Sequence, residues 1–471
     1  MQKVNRQKQL AKNTLILSIG TICSKLFTFL LLPLYTNALT TEDYGNIDVL
    51  QTVINLAVPI VTLQLSGAVF RFLIDKGDKK DKSEIITTAF LIVILDAFVF
   101  CVCTAGYNAL IGLNHFELFL MSFLASSMFL MVQNIARGFG HNLLYSVSSF
   151  VLVVTSLLIN IVLIVGVGLK GESILIAIAL SNLIASIIII CKERLWQYVS
   201  IKCFSYSRLK ELLQYSLPLV PNAISWWIAN TSDRLIIAFF LGNAANGIYA
   251  AANKIPTIYM TIYNVFNMAW TESISRSQED KDKDKFINGM LLTLYRFFGC
   301  LCVGIICCMS LLFPFLIGKN YFNAYNHVYI LMVAIFFNSM CAMYGGIFTG
   351  YKKSKTIGTT TIVGAIVNIV INFLFVRIWG LYAASISTLV SYIVIMIVRV
   401  IKANKLIKLV WPYKYFVRMA LALAITSIGY FYGNNKVNCV ILCGLIIWSV
   451  FENKNIITNG TKFIVSKIIR K

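Results

Sequence analysis

Residues 85–110 read IITTAFLIVILDAFVFCVCTAGYNAL, an apolar run whose only formal charge is Asp96. The hydrocarbon core of a bilayer is about 30 Å thick and takes about 20 apolar residues of helix to cross, so the run is long enough to be a span. Similar runs recur along the chain, roughly at 13–36, 47–70, 85–110, 117–137, 143–168, 173–191, 212–241, 247–271, 286–317, 325–349, 357–377, 380–400, 416–432 and 437–451. The last two are short for untilted spans. With 58% hydrophobic and 13% charged residues, the 471-residue chain is too apolar for one soluble core. The expected fold is an all-α polytopic membrane protein of about fourteen transmembrane helices.

A formal charge of +22 would suggest nucleic acid in a soluble protein, so its placement decides its meaning. With loops counted alternately inside and outside, the outer ones hold only Lys170, Lys319, Arg377 and Lys436, while Lys25, Arg234, Lys254 and Arg296 lie within spans. The rest of the 41 basic residues fall on one face. This is the positive-inside bias, and it places both termini in the cytoplasm. The surplus therefore reflects topology, with attraction to anionic lipid heads as a by-product and no nucleic-acid partner.

The N-terminal MQKVNRQKQLAKNTLILSIG resembles a signal peptide, but no small-x-small cleavage site follows, so it reads as a retained first helix. Twelve cysteines, such as Cys101/Cys103, Cys300/Cys302 and Cys307/Cys308, sit mostly in spans without nearby ligands, so no metal or other cofactor is expected. His115, His141 and His327 fall near span ends on different sides, which argues against a histidine-based catalytic centre. The sequon at Asn459 is cytoplasmic by this topology. A G-x-x-x-G at Gly346 to Gly350 reads as helix packing.

The chain repeats itself. LYTNALTTEDYGNIDVLQTV from Leu34 aligns with IIAFFLGNAANGIYAAANKI from Ile236, so that Leu39 meets Leu241, Gly45 meets Gly247 and Gln51 meets Asn253. Further on, LLINIVLIVGVG to Gly168 matches IVINFLFVRIWG to Gly380, with Asn160 against Asn372. These correspondences give an N-terminal six-helix lobe at 1–205, a second six-helix lobe at 206–408, and two extra helices with a tail at 409–471. Duplicated transporters place their substrate at the repeat interface near the bilayer midplane.

Polar residues inside the spans form stripes. Span 1 carries Thr14, Ser18, Thr21, Lys25 and Thr28 at alternating intervals of four and three. Span 2 carries Asp48, Gln51, Asn55, Pro59, Thr62 and Ser66, span 7 Asn222, Ser225, Ala229 and Ser232/Asp233, and span 8 Asn253, Thr257, Asn264, Asn267 and Thr271. Such stripes either join helices through hydrogen bonds or line an aqueous cavity, and the presence of charge favours the cavity. A Lys, Arg or Asp at mid-span costs roughly 2.5 to 3.5 kcal/mol on insertion scales. Lys25, Arg234, Lys254 and Arg296 are accordingly candidate anion ligands, although Arg296 could also snorkel to the interface. Asp233 is expected to tether Lys254 or Lys25 and leave Arg234 for an anion. Asp96 is either a coupling site or a charge partner.

KNTLILSIGTICSKLFTFLLLPLYTNALTTEDYGNIDVLQTV near the start and YSLPLVPNAISWWIANTSDRLIIAFFLGNAANGIYAAANKI in the second half resemble the polysaccharide transporters of the MOP superfamily. Within that group they resemble Wzx-type flippases and their Gram-positive relatives. The resemblance implies two six-helix lobes around a central cavity plus two C-terminal helices, working by alternating access in a bacterial plasma membrane. It also implies an undecaprenyl-diphosphate-linked oligosaccharide as substrate, a glycan polymerase as partner, a monomeric state, and cavity cations, here Lys25 and Arg234, that hold the diphosphate.

Two other classes compete. A multidrug antiporter of the same superfamily would present an acidic cavity, whereas the deep charges here are mainly basic. A glycan-modifying membrane enzyme needs a catalytic constellation, and no Ser/His/Asp, paired-carboxylate or phosphate-cradling glycine pattern is present in the short outer loops.

Overall fold

The computed structural model describes residues 29–74, 78–277, 282–454 and 458, and these are predominantly helical, with no strand among them. Eleven helices among the described residues are long and apolar enough to cross a membrane, and the chain is a multi-pass membrane protein. All eleven coincide with expected spans, including the two short ones at the C-terminal end. The remaining three of the expected fourteen are not in that set. The first, at 13–36, lies mostly outside the described residues. The span at 212–241 is broken by a turn at 217–218, its larger part being the helix Leu219–Leu241, and the span at 247–271 lies within the helix Asn243–Arg276.

The chain divides into two compact units, Met1–Gly247 and Ile248–Lys471. The first unit contains α1 (Phe29–Ala38), α2 (Thr41–Val61), α3 (Leu65–Ile74), α4 (Lys79–Ile111), α5 (Phe116–Gly138), α6 (Asn142–Ile161), α7 (Glu172–Glu193), α8 (Tyr206–Ser216), α9 (Leu219–Leu241) and the start of α10 (Asn243–Arg276). Starts are set locally: the side chains of Thr40, Asp78 and Ser205 cap α2, α4 and α8 by accepting from the N–H three residues on. The expected single span at 47–70 is two helices. Pro59 removes a donor near the end of α2, and Leu63 and Gln64 take left-handed φ values of 49° and 56° before α3 starts. A core of Leu65, Val69, Ile86, Val132, Ile135 and Ile189 joins α3, α4, α5 and α7. On α4, by contrast, Leu95, Phe98 and Leu110 remain exposed, as apolar side chains do where the solvent is lipid.

The second unit contains the rest of α10, then α11 (Lys283–Leu316), α12 (Ala324–Gly350), α13 (Ser354–Trp379), α14 (Leu381–Ala403), α15 (Tyr413–Tyr432) and α16 (Asn435–Glu452). Here α14 packs on α12 and α13, while α11 packs on α12, α15 and α16. A Cβ on Gly346 would lie 2.8 Å from the Trp270 ring, so the G-x-x-x-G stretch serves close helix packing. Buried polar groups are bonded across helices. Tyr259 pairs with Ser339 at 3.0 Å, and the Trp270 indole donates to the Met343 carbonyl at 2.8 Å. Arg399, counted in the sequence with the inner basic residues, is buried. Its Nε donates to Thr360 Oγ1, its Nη1 to the Cys341 carbonyl, and its Nη2 to Thr361 Oγ1 and the Ile357 carbonyl.

Candidate functional site

The charged centre of the first unit lies where α2 and α9 run side by side and α10 begins. The Arg234 guanidinium donates from Nη1 to Asp48 Oδ1 at 2.6 Å. Asp48 is almost fully buried, its side chain 2% exposed against 23% for Arg234. The second carboxylate oxygen accepts from Asn246 Nδ2 at 3.3 Å, and the same amide donates to the Gly45 carbonyl at 3.0 Å. One turn further along α2, the Trp227 indole donates to the Thr52 carbonyl at 3.1 Å, so α2 and α9 are tied at two levels.

Local sequence makes this arrangement possible. Gly242, with φ 86°, turns the chain between α9 and α10. A Cβ on Gly45 would lie 1.7 Å from the Asn243 carbonyl oxygen, and one on Gly247 would lie 2.0 Å from that of Thr41. The two backbones touch through the two glycines that the repeat alignment paired. Backbones approach this closely in membranes only where residues are small.

The remaining sequence-derived candidates are distributed as follows. Asp233 is buried beside Arg234, and Gln51 is half-buried on α2. Asn55 and Asn222 are exposed on α2 and α9. Polar side chains that face outward from apolar helices fit water better than hydrocarbon. In the second unit Thr257 and Asn264 are exposed on α10, while Lys254 and Asn253 are half-buried, the latter donating to the Tyr249 carbonyl. Asp96 is half-buried on α4, and its Oδ2 is buried without a hydrogen-bond partner. Lys25 lies outside the described residues.

Two groups and one pairing were missed by the sequence reading. Asn246 is buried as the second ligand of Asp48, and no periodicity marks it. Glu452 of α16 sits between Arg296 of α11 and Arg418 of α15. Arg234, expected to be left for an anion, donates from Nη1 to Asp48, a partner the sequence reading did not give it. The available signal was the presence of opposite charges at the start of span 2 and near the end of span 7. His115 lies 3.7 Å from Glu172, His141 2.6 Å from Glu193, and His327 3.1 Å from Ser385, three separate places rather than one centre.

The sequence model of the polysaccharide biosynthesis protein family matches residues 10–278. Protein 1 of the Lsg locus of Haemophilus influenzae is 24% identical over 263 residues, which is 55% of this chain and 64% of that relative's length. Among solved structures, the lipid II flippase MurJ in an inward closed conformation matches 94% of this chain and all of its own, with a TM-score of 0.74 at 15% identity. An inward-facing multidrug resistance MATE family transporter of the MOP superfamily matches 86% of this chain and 95% of its own, with a TM-score of 0.64 at 14% identity. At these identities the structural likeness concerns the fold.

Proposed function

The chain belongs to the polysaccharide biosynthesis protein family, and from that premise we propose that it is a flippase. In this reading it moves an undecaprenyl-diphosphate-linked oligosaccharide from the cytoplasmic to the outer leaflet of a bacterial plasma membrane by alternating access. The match of the family model to more than half of the chain carries this reading, and a fold similar to that of a lipid II flippase supports it. The repeat units would be lobes at 1–205 and 206–408, followed by two additional helices at 409–471. Both termini would be cytoplasmic, and the protein would act as a monomer beside a glycan polymerase.

The chemistry asked of the protein is modest. Lys25, Arg234 and Lys254 would meet the diphosphate. Arg234 uses one of its five N–H donors on Asp48, so an incoming phosphate can take the others before the carboxylate lets go. Arg296, the fourth cation of the set, lies beside Glu452. Asp48, Gln51, Asn55, Asn222, Asn253, Thr257 and Asn264 would offer amide and hydroxyl partners to the glycan. The polyprenyl tail would remain in lipid. An inside-negative potential favours outward passage of an anion by about 2.3 kcal/mol per charge per 100 mV, about 5 kcal/mol for a doubly charged head. Ion coupling through Asp96 or Asp233 would add to this drive.

A cation antiporter is the second reading, favoured by the likeness to a MATE fold and by the buried carboxylates Asp48 and Asp233. One experiment separates the two. In a strain deleted for the gene with its glycosyltransferases intact and no redundant flippase, polyprenyl-diphosphate oligosaccharides are extracted and their leaflet is assigned with an impermeant probe. Accumulation on the cytoplasmic side, reversed by restoring the gene, is expected. Unchanged amounts in both leaflets would favour the antiporter.

A further inference from the structure

In the second unit one carboxylate serves two arginines. Glu452, the last residue of α16, has a side chain only 1% exposed. Arg418 of α15 donates to it from Nε at 2.5 Å and from Nη2 at 3.2 Å. Arg296 of α11 places its Nε 3.3 Å from Glu452 Oε2 but without the alignment of a hydrogen bond, so that this buried nitrogen has no partner. The triad carries a net charge of +1. Two guanidiniums bring ten N–H donors, whereas a carboxylate offers about four acceptor positions. The excess is not shut away, since the side chains of Arg296 and Arg418 are 30% and 41% exposed.

Depth and surroundings identify what meets them. Arg296 lies about 20 residues before the end of α11, roughly 30 Å at 1.5 Å per residue, which is about the thickness of the hydrocarbon core. Arg418 is near the start of α15 and Glu452 at the end of α16, the antiparallel neighbour. All three are thus at the level of the lipid heads of one leaflet. Beside them, on the same helices, Val417, Leu421, Val450 and Phe451 are exposed, the surface that acyl chains cover. At that level the excess N–H donors meet either water or the anionic oxygens of lipid heads, and the net positive charge favours the latter.

We propose that Arg296 and Arg418, held together by Glu452, form a binding site for the phosphate of an anionic bilayer phospholipid, whose tails lie along α15 and α16. Basic pockets between transmembrane helices bind anionic head groups in this way. The carboxylate holds both arginines in position while leaving them a net charge for the phosphate. The inference does not rest on the transport reading.

The test uses the full-length, delipidated protein in detergent, titrated with phosphatidylglycerol or phosphatidylcholine and read by native mass spectrometry. Wild type is expected to take up one phosphatidylglycerol more tightly than any phosphatidylcholine. Arg296→Gln should weaken that site about fivefold, the worth of one basic residue beside an anionic surface. Glu452→Gln keeps an acceptor oxygen for Arg418 while removing the competing charge, and should tighten the site by a similar factor; no gain would mean a purely structural triad and would overturn the proposal. Arg296 makes no aligned hydrogen bond to Glu452, so its variant remains informative if Glu452→Gln fails to fold. Equal affinity for the two lipids, or an Arg296→Gln variant that binds phosphatidylglycerol as wild type does, would overturn the proposal.

Discussion

Asp48 shows how a single residue constrains its neighbours. A carboxylate this deeply buried must be paired, and here it accepts from both Arg234 and Asn246. Removing one member of a buried pair leaves a charge without compensation, at a cost of about 3 kcal/mol. Arg234→Gln is therefore expected to lower the thermal stability of the detergent-solubilised protein markedly, and Asp48→Asn likewise. The double variant Asp48→Asn/Arg234→Gln should recover about 1–3 kcal/mol relative to the sum of the two. Additive losses would mean that the two side chains are not coupled. If the flippase reading holds, the double variant should fold and insert yet fail to restore glycan export. Full export by that variant would remove Arg234 from the diphosphate set.

Among elements, α2 and the start of α10 meet through backbone. Gly45→Ala would drive a Cβ into the Asn243 carbonyl, and Gly247→Ala one into that of Thr41. Neither neighbour can yield, because both are main chain. Each variant should separate the helices and weaken the Asn246 bonds to Gly45 and Asp48, with a loss of about 1–3 kcal/mol typical of overpacking. Cysteine pairs at the exposed faces of the two helices would report the separation as slower crosslinking; unchanged crosslinking and stability would contradict it. The break between α2 and α3 offers the opposite experiment. Gln64→Gly relieves a left-handed φ of 56° and should raise stability by about 1 kcal/mol, readable as a rise in melting temperature; a fall would show that the Gln64 side chain contributes more than the strain it carries.

For the whole molecule, the arrangement of basic residues predicts topology. A fluorescent protein fused to either end should be bright, and alkaline phosphatase fused at the same points should be inactive. An active phosphatase at the C-terminal end alone would mean an odd number of crossings.

Composition and periodicity by themselves determined an all-helical, multi-pass chain, because a long apolar run leaves a backbone in lipid no choice but to bond within its own helix. The same reading proposed a repeat and singled out the polar stripes and the charges Asp48, Arg234 and Arg296 as exceptions to the apolar rule. Tertiary structure alone decided which of these groups meet. Asp48 joins Arg234 and Asn246 at separations in sequence of 186 and 198 residues, and Glu452 collects Arg296 and Arg418 from two other helices. No local pattern records such partners, since insertion energy depends on each residue's own depth, whereas pairing depends on the rotation and separation of helices packed against one another.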